Sequence, residues 1–150
     1  MGYQIEIIIG KEHERRGVAF LISENNEDKR ITGKVAFDRL NIVGQRMLRT
    51  RFDAWQIGQL NKPARYHGWN KSEYGGRYTN CFVFKYKLHR FYGFLCNPKE
   101  KNPRYQICIL VKKATKKEHE TDETELKQVE NIRSNLAVQR KIRDFFKEKK

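Results

Sequence analysis

The chain has 150 residues, of which 33% are charged, and its formal net charge at pH 7 is +14. This length predicts one domain over 1–150 with a hydrophobic core of its own. The apolar stretches are too short to cross a bilayer, and the N-terminal run contains Glu6 and lacks the basic region of a signal peptide. We therefore expect a cytoplasmic protein without a membrane partner.

The positive charge is concentrated in the middle of the chain. Residues 1–28 carry three basic and six acidic groups, residues 29–117 carry 21 and four, and residues 118–150 carry eight of each. The middle segment therefore has a net charge of +17. A fold needs no such excess, and mutual repulsion makes it slightly unfavourable. A polyanionic partner, above all a nucleic acid, is the simplest explanation.

The first 60 residues predict a β-hairpin followed by helices. Residues 3–9 and 17–22 are short, β-rich apolar runs separated by a polar turn. From about 31 to 60 the apolar residues recur at helical spacing, and Gly44 and Gly58 favour a break into two helices. The opposite helical face is basic, which predicts either a solvated surface or a contact with nucleic acid or an acidic partner. Its cations are Arg39, Arg46, Arg49 and Arg51.

Residues 61–80 are loop-like and interleave aromatic residues with cations. Such a segment can stack on unpaired bases while it neutralises phosphates. The structural alternative is that the aromatic rings cover the edge of a sheet. The candidate RNA-binding residues in this segment are Arg65, Tyr66, Trp69, Lys71 and Arg77.

Residues 81–113 predict a three-stranded antiparallel meander with strands at 81–87, 89–96 and 104–111. Each run is rich in aromatic and β-branched residues and alternates with period two. Asn and Pro residues bracket the second connection. One cysteine falls on each strand, in a spacing that matches no zinc site, so we expect reduced thiols. These are Cys81, Cys96 and Cys108.

The C-terminal third predicts one long helix, capped by Thr121 or Asp122. Ser134 and Asn135 form a weak point within it. We expect the helices at 31–60 and 122–135 to cover the same face of the meander. The predicted architecture is a single α+β domain with its core at about 30–135, an N-terminal β-hairpin and a C-terminal helical extension over 136–150.

The distribution of acidic residues argues against a two-metal nuclease, because only four carboxylates occur between 29 and 117. No nucleotide-cofactor motif is present. Metal-free RNA cleavage uses the 2′-hydroxyl of the RNA as nucleophile. The protein must then accept that proton, stabilise charge on phosphorus and protonate the leaving oxygen. Lys, Arg, His and Tyr side chains suffice, and the meander carries all four types. We expect neither a metal nor a cofactor.

The segments FVFKYK, LHRFYGF and YQICILVKKATKKEHETDETELKQVENIR resemble the RelE/HigB superfamily of bacterial toxins of type II toxin–antitoxin systems. The resemblance covers 80–135 by motif and 30–80 by the order of elements. It implies an α+β, microbial-RNase-like fold and an endoribonuclease (an mRNA interferase) that cleaves mRNA on the ribosome. It also implies an acidic antitoxin that blocks the active face.

Carried over by position, the resemblance implies catalytic roles for six residues. Lys85 and Lys87 match basic residues that close the first meander strand, and Arg90 matches an arginine facing the scissile phosphate. Lys112 and Lys113 match a basic pair after the last strand. We expect Lys85, Lys87, Arg90 and Lys112 to converge around one phosphate, because Lys85 and Lys87 share a strand face and a tight turn brings Arg90 near them. Less directly matched are Tyr92 as a supporting catalytic residue and, as RNA-binding residues, His89, Lys116 and Lys117.

Two other functions fit the same residues. The chain is longer than is typical of these toxins, and the sequence does not identify which residues would be the general acid and the general base. One alternative is therefore a non-catalytic RNA- or DNA-binding module with the 61–80 aromatics as a stacking platform. The other is a protein–protein adaptor whose basic face holds an acidic segment.

Overall fold

A computed structural model, which describes residues 2–13, 15–59, 62–116 and 122–147, shows a six-stranded sheet between two layers of helices. The sheet order is β1-β2-β6-β5-β4-β3, and all neighbours are antiparallel except the parallel pair β2 and β6. The α+β class is therefore confirmed. The strands are β1 (Tyr3–Ile9), β2 (Arg16–Ser23), β3 (Tyr66–Gly68), β4 (Cys81–Tyr86), β5 (His89–Cys96) and β6 (Gln106–Thr115). The α-helices are α1 (Gly33–Arg39), α2 (Ile42–Gln56), α3 (Glu123–Arg133) and α4 (Leu136–Phe145).

The predicted hairpin and meander are both confirmed. β1 pairs with β2, and β4, β5 and β6 are consecutive antiparallel neighbours. The last strand is longer than the predicted 104–111, because it continues to Thr115 and so contains both Lys112 and Lys113. Lys87 lies in the β4–β5 turn, with φ +52°, and not on a strand.

The prediction that all helices cover one face of the sheet is wrong. α1 and α2 pack on one face, and α3 and α4 pack on the other. The reason lies in the central strands: Val18–Leu21 of β2 and Ile107–Val111 of β6 are buried on both sides. A strand that is apolar on both faces needs a cover on each.

The breaks between helices come from asparagine caps. Asn41 starts α2, and its side-chain oxygen accepts a hydrogen bond from the Gly44 amide at 2.8 Å. Asn135 likewise accepts from the amides of Ala137 and Val138. The second cap separates α3 from α4, so the prediction of one long C-terminal helix is wrong. Asp122 precedes α3 without a side-chain capping bond, and Thr121 lies outside the described residues.

A β-bulge between β5 and β6 sets the direction of the basic side chains. The register shifts between Tyr92 and Gly93, so that Tyr92 faces Lys112 while Gly93 faces Leu110. Val111 packs in the core on the α3 side, and Lys112, the next residue, also reaches α3. The extra residue therefore turns Lys112 toward α3 and leaves Lys113 on the α1 side.

Candidate functional site

The strand register brings several candidate residues together at one end of the sheet. His67, Val83, Tyr92 and Lys112 are successive cross-strand partners from β3 to β6. Lys85 and Arg90 are partners in the next row. Directly paired residues have Cβ atoms about 4.5–5.5 Å apart. We call the group on this α3-side face the strand-end cluster: His67, Lys85, Arg90, Tyr92 and Lys112, with Asp122 from the start of α3.

Lys85 and Arg90 form an unpaired cationic couple. Within the described ranges neither side chain makes a salt bridge. Arg90 Nη1 donates to the carbonyl of Lys87 at 2.7 Å and to that of His89 at 3.2 Å, which holds the guanidinium at the turn. Burial lowers the pKa of Lys85, Arg90 lowers it further, and Asp122 opposes both. Two adjacent cations that make no salt bridge among the described residues favour the binding of an anion, although the Asp122 carboxylate nearby partly offsets their charge.

His67 is a functional candidate that sequence reasoning missed. Its Nδ1 lies 2.9 Å from the Gly68 carbonyl, and because a carbonyl only accepts, Nδ1 carries the proton. Burial lowers the pKa of His67, and Lys85 lowers it further, against opposing effects of Gly68 and Asp122. The neutral ring then keeps its lone pair on Nε2. Trp69 packs edge-on against this ring at 4.7 Å between centroids.

Tyr92 and Lys112 hold α3 against the sheet. The Tyr92 side chain is fully buried, and its hydroxyl donates to Asp122 Oδ1. Burial, followed by that hydrogen bond, raises the pKa of Tyr92, so the phenol stays protonated. Lys112 Nζ donates to Gln128 Oε1 on α3. Tyr92 therefore positions Asp122 and is not exposed to a substrate, in contrast to its predicted supporting role in catalysis.

Lys87, Lys113 and His89 lie away from the strand-end cluster. Lys87 is exposed in the turn, with its ammonium 5.4 Å from the centre of the Tyr86 ring. The prediction that it shares a strand face with Lys85 is wrong, because β4 ends at Tyr86. Lys113 and His89 line a groove on the α1 side. Of the four residues predicted to converge on one phosphate, Lys85 and Arg90 are cross-strand partners, whereas Lys112 is paired with Tyr92 and its ammonium donates to Gln128.

The aromatic residues of the 61–80 segment cover the sheet edge. Tyr66 packs against Phe82 and Phe84, and Trp69 stacks on Tyr92 at 6.4 Å. Tyr66 and Trp69 are only 4% and 7% exposed, so the prediction that they form a platform for bases is wrong. The sequence pattern could not distinguish the two, because edge-covering and base-stacking rings have the same spacing.

The cations predicted to bind RNA have different environments. Arg65 and Lys71 are exposed. Arg77 reaches Glu123 at 3.5 Å. Lys116 forms a 2.9 Å ion pair with Glu125 in which both side chains are largely buried, so it ties β6 to α3. Lys117 lies outside the described residues.

Comparisons of the chain with models of known families, with curated proteins and with solved structures find no match. The resemblance to the RelE/HigB toxins therefore stays a prediction. Over the described ranges, no helix has the length and apolar character that crossing a membrane requires. The same ranges contain no group of three or more His, Cys, Asp or Glu side chains placed to hold a metal ion.

Proposed function

We propose that this protein is a metal-independent endoribonuclease of the RelE/HigB type, the toxin of a type II toxin–antitoxin system, which cleaves mRNA on the ribosome. The observation that carries the proposal is the unpaired couple of Lys85 and Arg90 beside the neutral imidazole of His67. These groups provide what self-cleavage of RNA requires: a base, an acid and fixed positive charge. The order of a strand, two helices, a meander and a helix fits the same family.

In the proposed reaction, His67 Nε2 accepts the proton of the 2′-hydroxyl as the 2′-oxygen attacks phosphorus. The bond from phosphorus to O5′ breaks, and the Lys85 ammonium donates a proton to O5′. The products are a 2′,3′-cyclic phosphate and a 5′-hydroxyl. Arg90 donates hydrogen bonds to the non-bridging oxygens, which gain charge in the transition state.

The surroundings of the strand-end cluster suit a long polyanion. Arg65 is exposed beside this cluster, where its backbone carbonyl accepts a hydrogen bond from the Lys85 amide at 2.7 Å, and Lys71 is exposed in the same segment before β4. An acidic antitoxin would compete with RNA for the same cations, since charge complementarity steers both. The proposed partners are therefore mRNA and an acidic protein segment.

A cleavage assay tests this function. A short mRNA is incubated with the protein, with and without translating ribosomes, and the 3′ ends are examined for cyclic phosphate. His67→Gln, Lys85→Met and Arg90→Gln should each lower the cleavage rate by about a hundredfold or more. Arg140→Gln, an exposed change on α4, serves as the control and should cleave at the wild-type rate. Wild-type cleavage by all three site variants would refute the assignment.

A second candidate is an RNA-binding module without catalysis. It is favoured by the hydrogen bonds from Tyr92 to Asp122 and from Lys112 to Gln128. These bonds engage two of the residues that were expected to be catalytic in contacts with α3. In that case the wild type binds RNA and leaves it intact even with ribosomes present. The Lys85 and Arg90 variants would then weaken binding modestly and uniformly across RNA sequences.

A further inference from the structure

A groove of about 470 Å³ lies on the α1 side of the sheet, on the opposite face from the strand-end cluster. It runs between α1, the segment before α1 and the adjoining parts of β5 and β6. One wall is apolar and is formed by Ile31, Val35, Ala36 and Leu40. Val35 is 39% exposed, so part of this apolar wall is open to solvent. The groove thus offers an apolar surface large enough for a ring system.

The polar part of the groove is positively charged. Lys29, Arg39 and Lys113 line it, together with one carboxylate, Asp28. That carboxylate is already neutralised, because Asp28 Oδ2 accepts hydrogen bonds from Arg30 Nη2 at 2.6 Å and from the Tyr3 hydroxyl at 2.9 Å. The cations are therefore left to attract an anion.

His89 adds a polar group that lacks a partner. Its Nδ1 is buried and makes no hydrogen bond within the part of the chain that the structure describes. Burial lowers the pKa of His89, and Lys113, Lys87 and Arg90 lower it further, so the ring is neutral at pH 7. Buried polar atoms are nearly always satisfied, and each exception needs an explanation. His89 also lines the groove, so a ligand there meets an imidazole whose hydrogen-bonding capacity is not used up among the described residues.

We propose that this groove binds a nucleoside 5′-phosphate, either free or as one unit of a single-stranded RNA. The base lies against the apolar wall of Val35 and Ala36, its polar edge bonds to the ring of His89, and the phosphate is held by Arg39 and Lys113. A volume of this size is typical of pockets for small organic ligands. The inference stands apart from the proposed nuclease activity, because the two sites lie on opposite faces of the sheet.

Calorimetric titration of the full chain with AMP, adenosine, inorganic phosphate and a short single-stranded RNA tests the proposal. AMP or the RNA should bind more tightly than adenosine or phosphate, since the groove contacts both base and phosphate. Arg39→Gln and Lys113→Gln should each weaken binding by about tenfold, the usual effect of losing a charged hydrogen bond. Ala36→Phe fills the groove and should abolish binding. Arg140→Gln, an exposed change on α4 outside the groove, is the matched control.

The ring nitrogen resonances of His89 provide a second readout that needs no substitution. They should shift on titration, and circular dichroism identifies any variant that has lost its fold. Binding of AMP identifies a free nucleotide as ligand, whereas binding of the RNA alone identifies an RNA unit. Binding of phosphate as tight as that of AMP would overturn the proposal. So would the absence of any binding, or wild-type affinity in both charge variants. Loss of cleavage in the Lys85 variant with AMP binding intact separates the two sites.

Discussion

The charge network before α1 allows a quantitative prediction for Asp28→Asn. Asp28 is 5% exposed and accepts hydrogen bonds from the Arg30 guanidinium, the Arg30 amide and the Tyr3 hydroxyl. Hydrogen bonding from Arg30 lowers the pKa of Asp28 from 3.8 to about 2. At about 1.4 kcal/mol for each pKa unit, the ionised carboxylate stabilises the fold by about 2.5 kcal/mol before screening is considered. Because Arg30 is 36% exposed, solvent screening reduces this to about 1–2 kcal/mol.

The sign of the pH dependence follows from the lowered pKa. The stabilisation is fully present above about pH 5, where Asp28 is ionised in both states, and is lost as the pH falls toward 2. Urea denaturation of wild type and Asp28→Asn at pH 7, 5, 4, 3 and 2.5 measures the difference between them. Asp38→Asn, which breaks an exposed pair with Lys34, is the control and should cost less than about 0.5 kcal/mol. A deficit that is the same at pH 7 and pH 2.5 would refute the reasoning.

Three further outcomes are expected. Gly93→Ala should destabilise the fold by about 1–3 kcal/mol or more, because the new Cβ would lie 2.2 Å from the Ile109 carbonyl oxygen; Gly68→Ala, with nothing nearer than 3.3 Å, is the control in thermal unfolding. Lys116→Met should lower the free energy of unfolding in urea by about 1–3 kcal/mol, because Glu125 loses its cation while its Oε2 is already without a partner among the described residues. RNA affinity should not change in this variant. Lower RNA affinity with unchanged stability would favour the sequence-based role of Lys116. RNA affinity should fall steeply as salt concentration rises. The slope of the logarithm of the binding constant against the logarithm of salt concentration should be about one unit smaller in magnitude for Lys85→Met than for wild type. Equal slopes would contradict a phosphate contact at this lysine.

The regular strands of the fold could be predicted because period-two alternation is a local signal. β1, β4 and β5 begin and end within a residue of their predicted positions. The coverage of both sheet faces was also encoded, in the uninterrupted apolar run GVAFLI of β2, which indicates a strand buried on both sides. The parallel pairing of β2 with β6 had no local signal, since it joins segments far apart in the chain.

The positions of the candidate site residues could likewise be predicted only in part. Lys85 and Arg90 were expected to lie together because a tight turn joins their strands, and the register confirms that they are partners. Lys112 and Lys113 were expected to act as a pair, but strand alternation and the bulge send them to opposite faces. His67 was missed because β3 has only three residues, too few for a periodic pattern.

The parallel ladder between β2 and β6 has a consequence for the chain during its synthesis. β2 starts at residue 16 and its partner starts at residue 106, so 90 residues must be made before the ladder can form. At about 5–20 residues per second, this takes roughly 5–18 s. During that interval the N-terminal hairpin exposes an open backbone edge and an apolar strand, the features that chaperones recognise and that promote association between nascent chains. A ribosome that stalls before the β6 codons would hold the protein in this state.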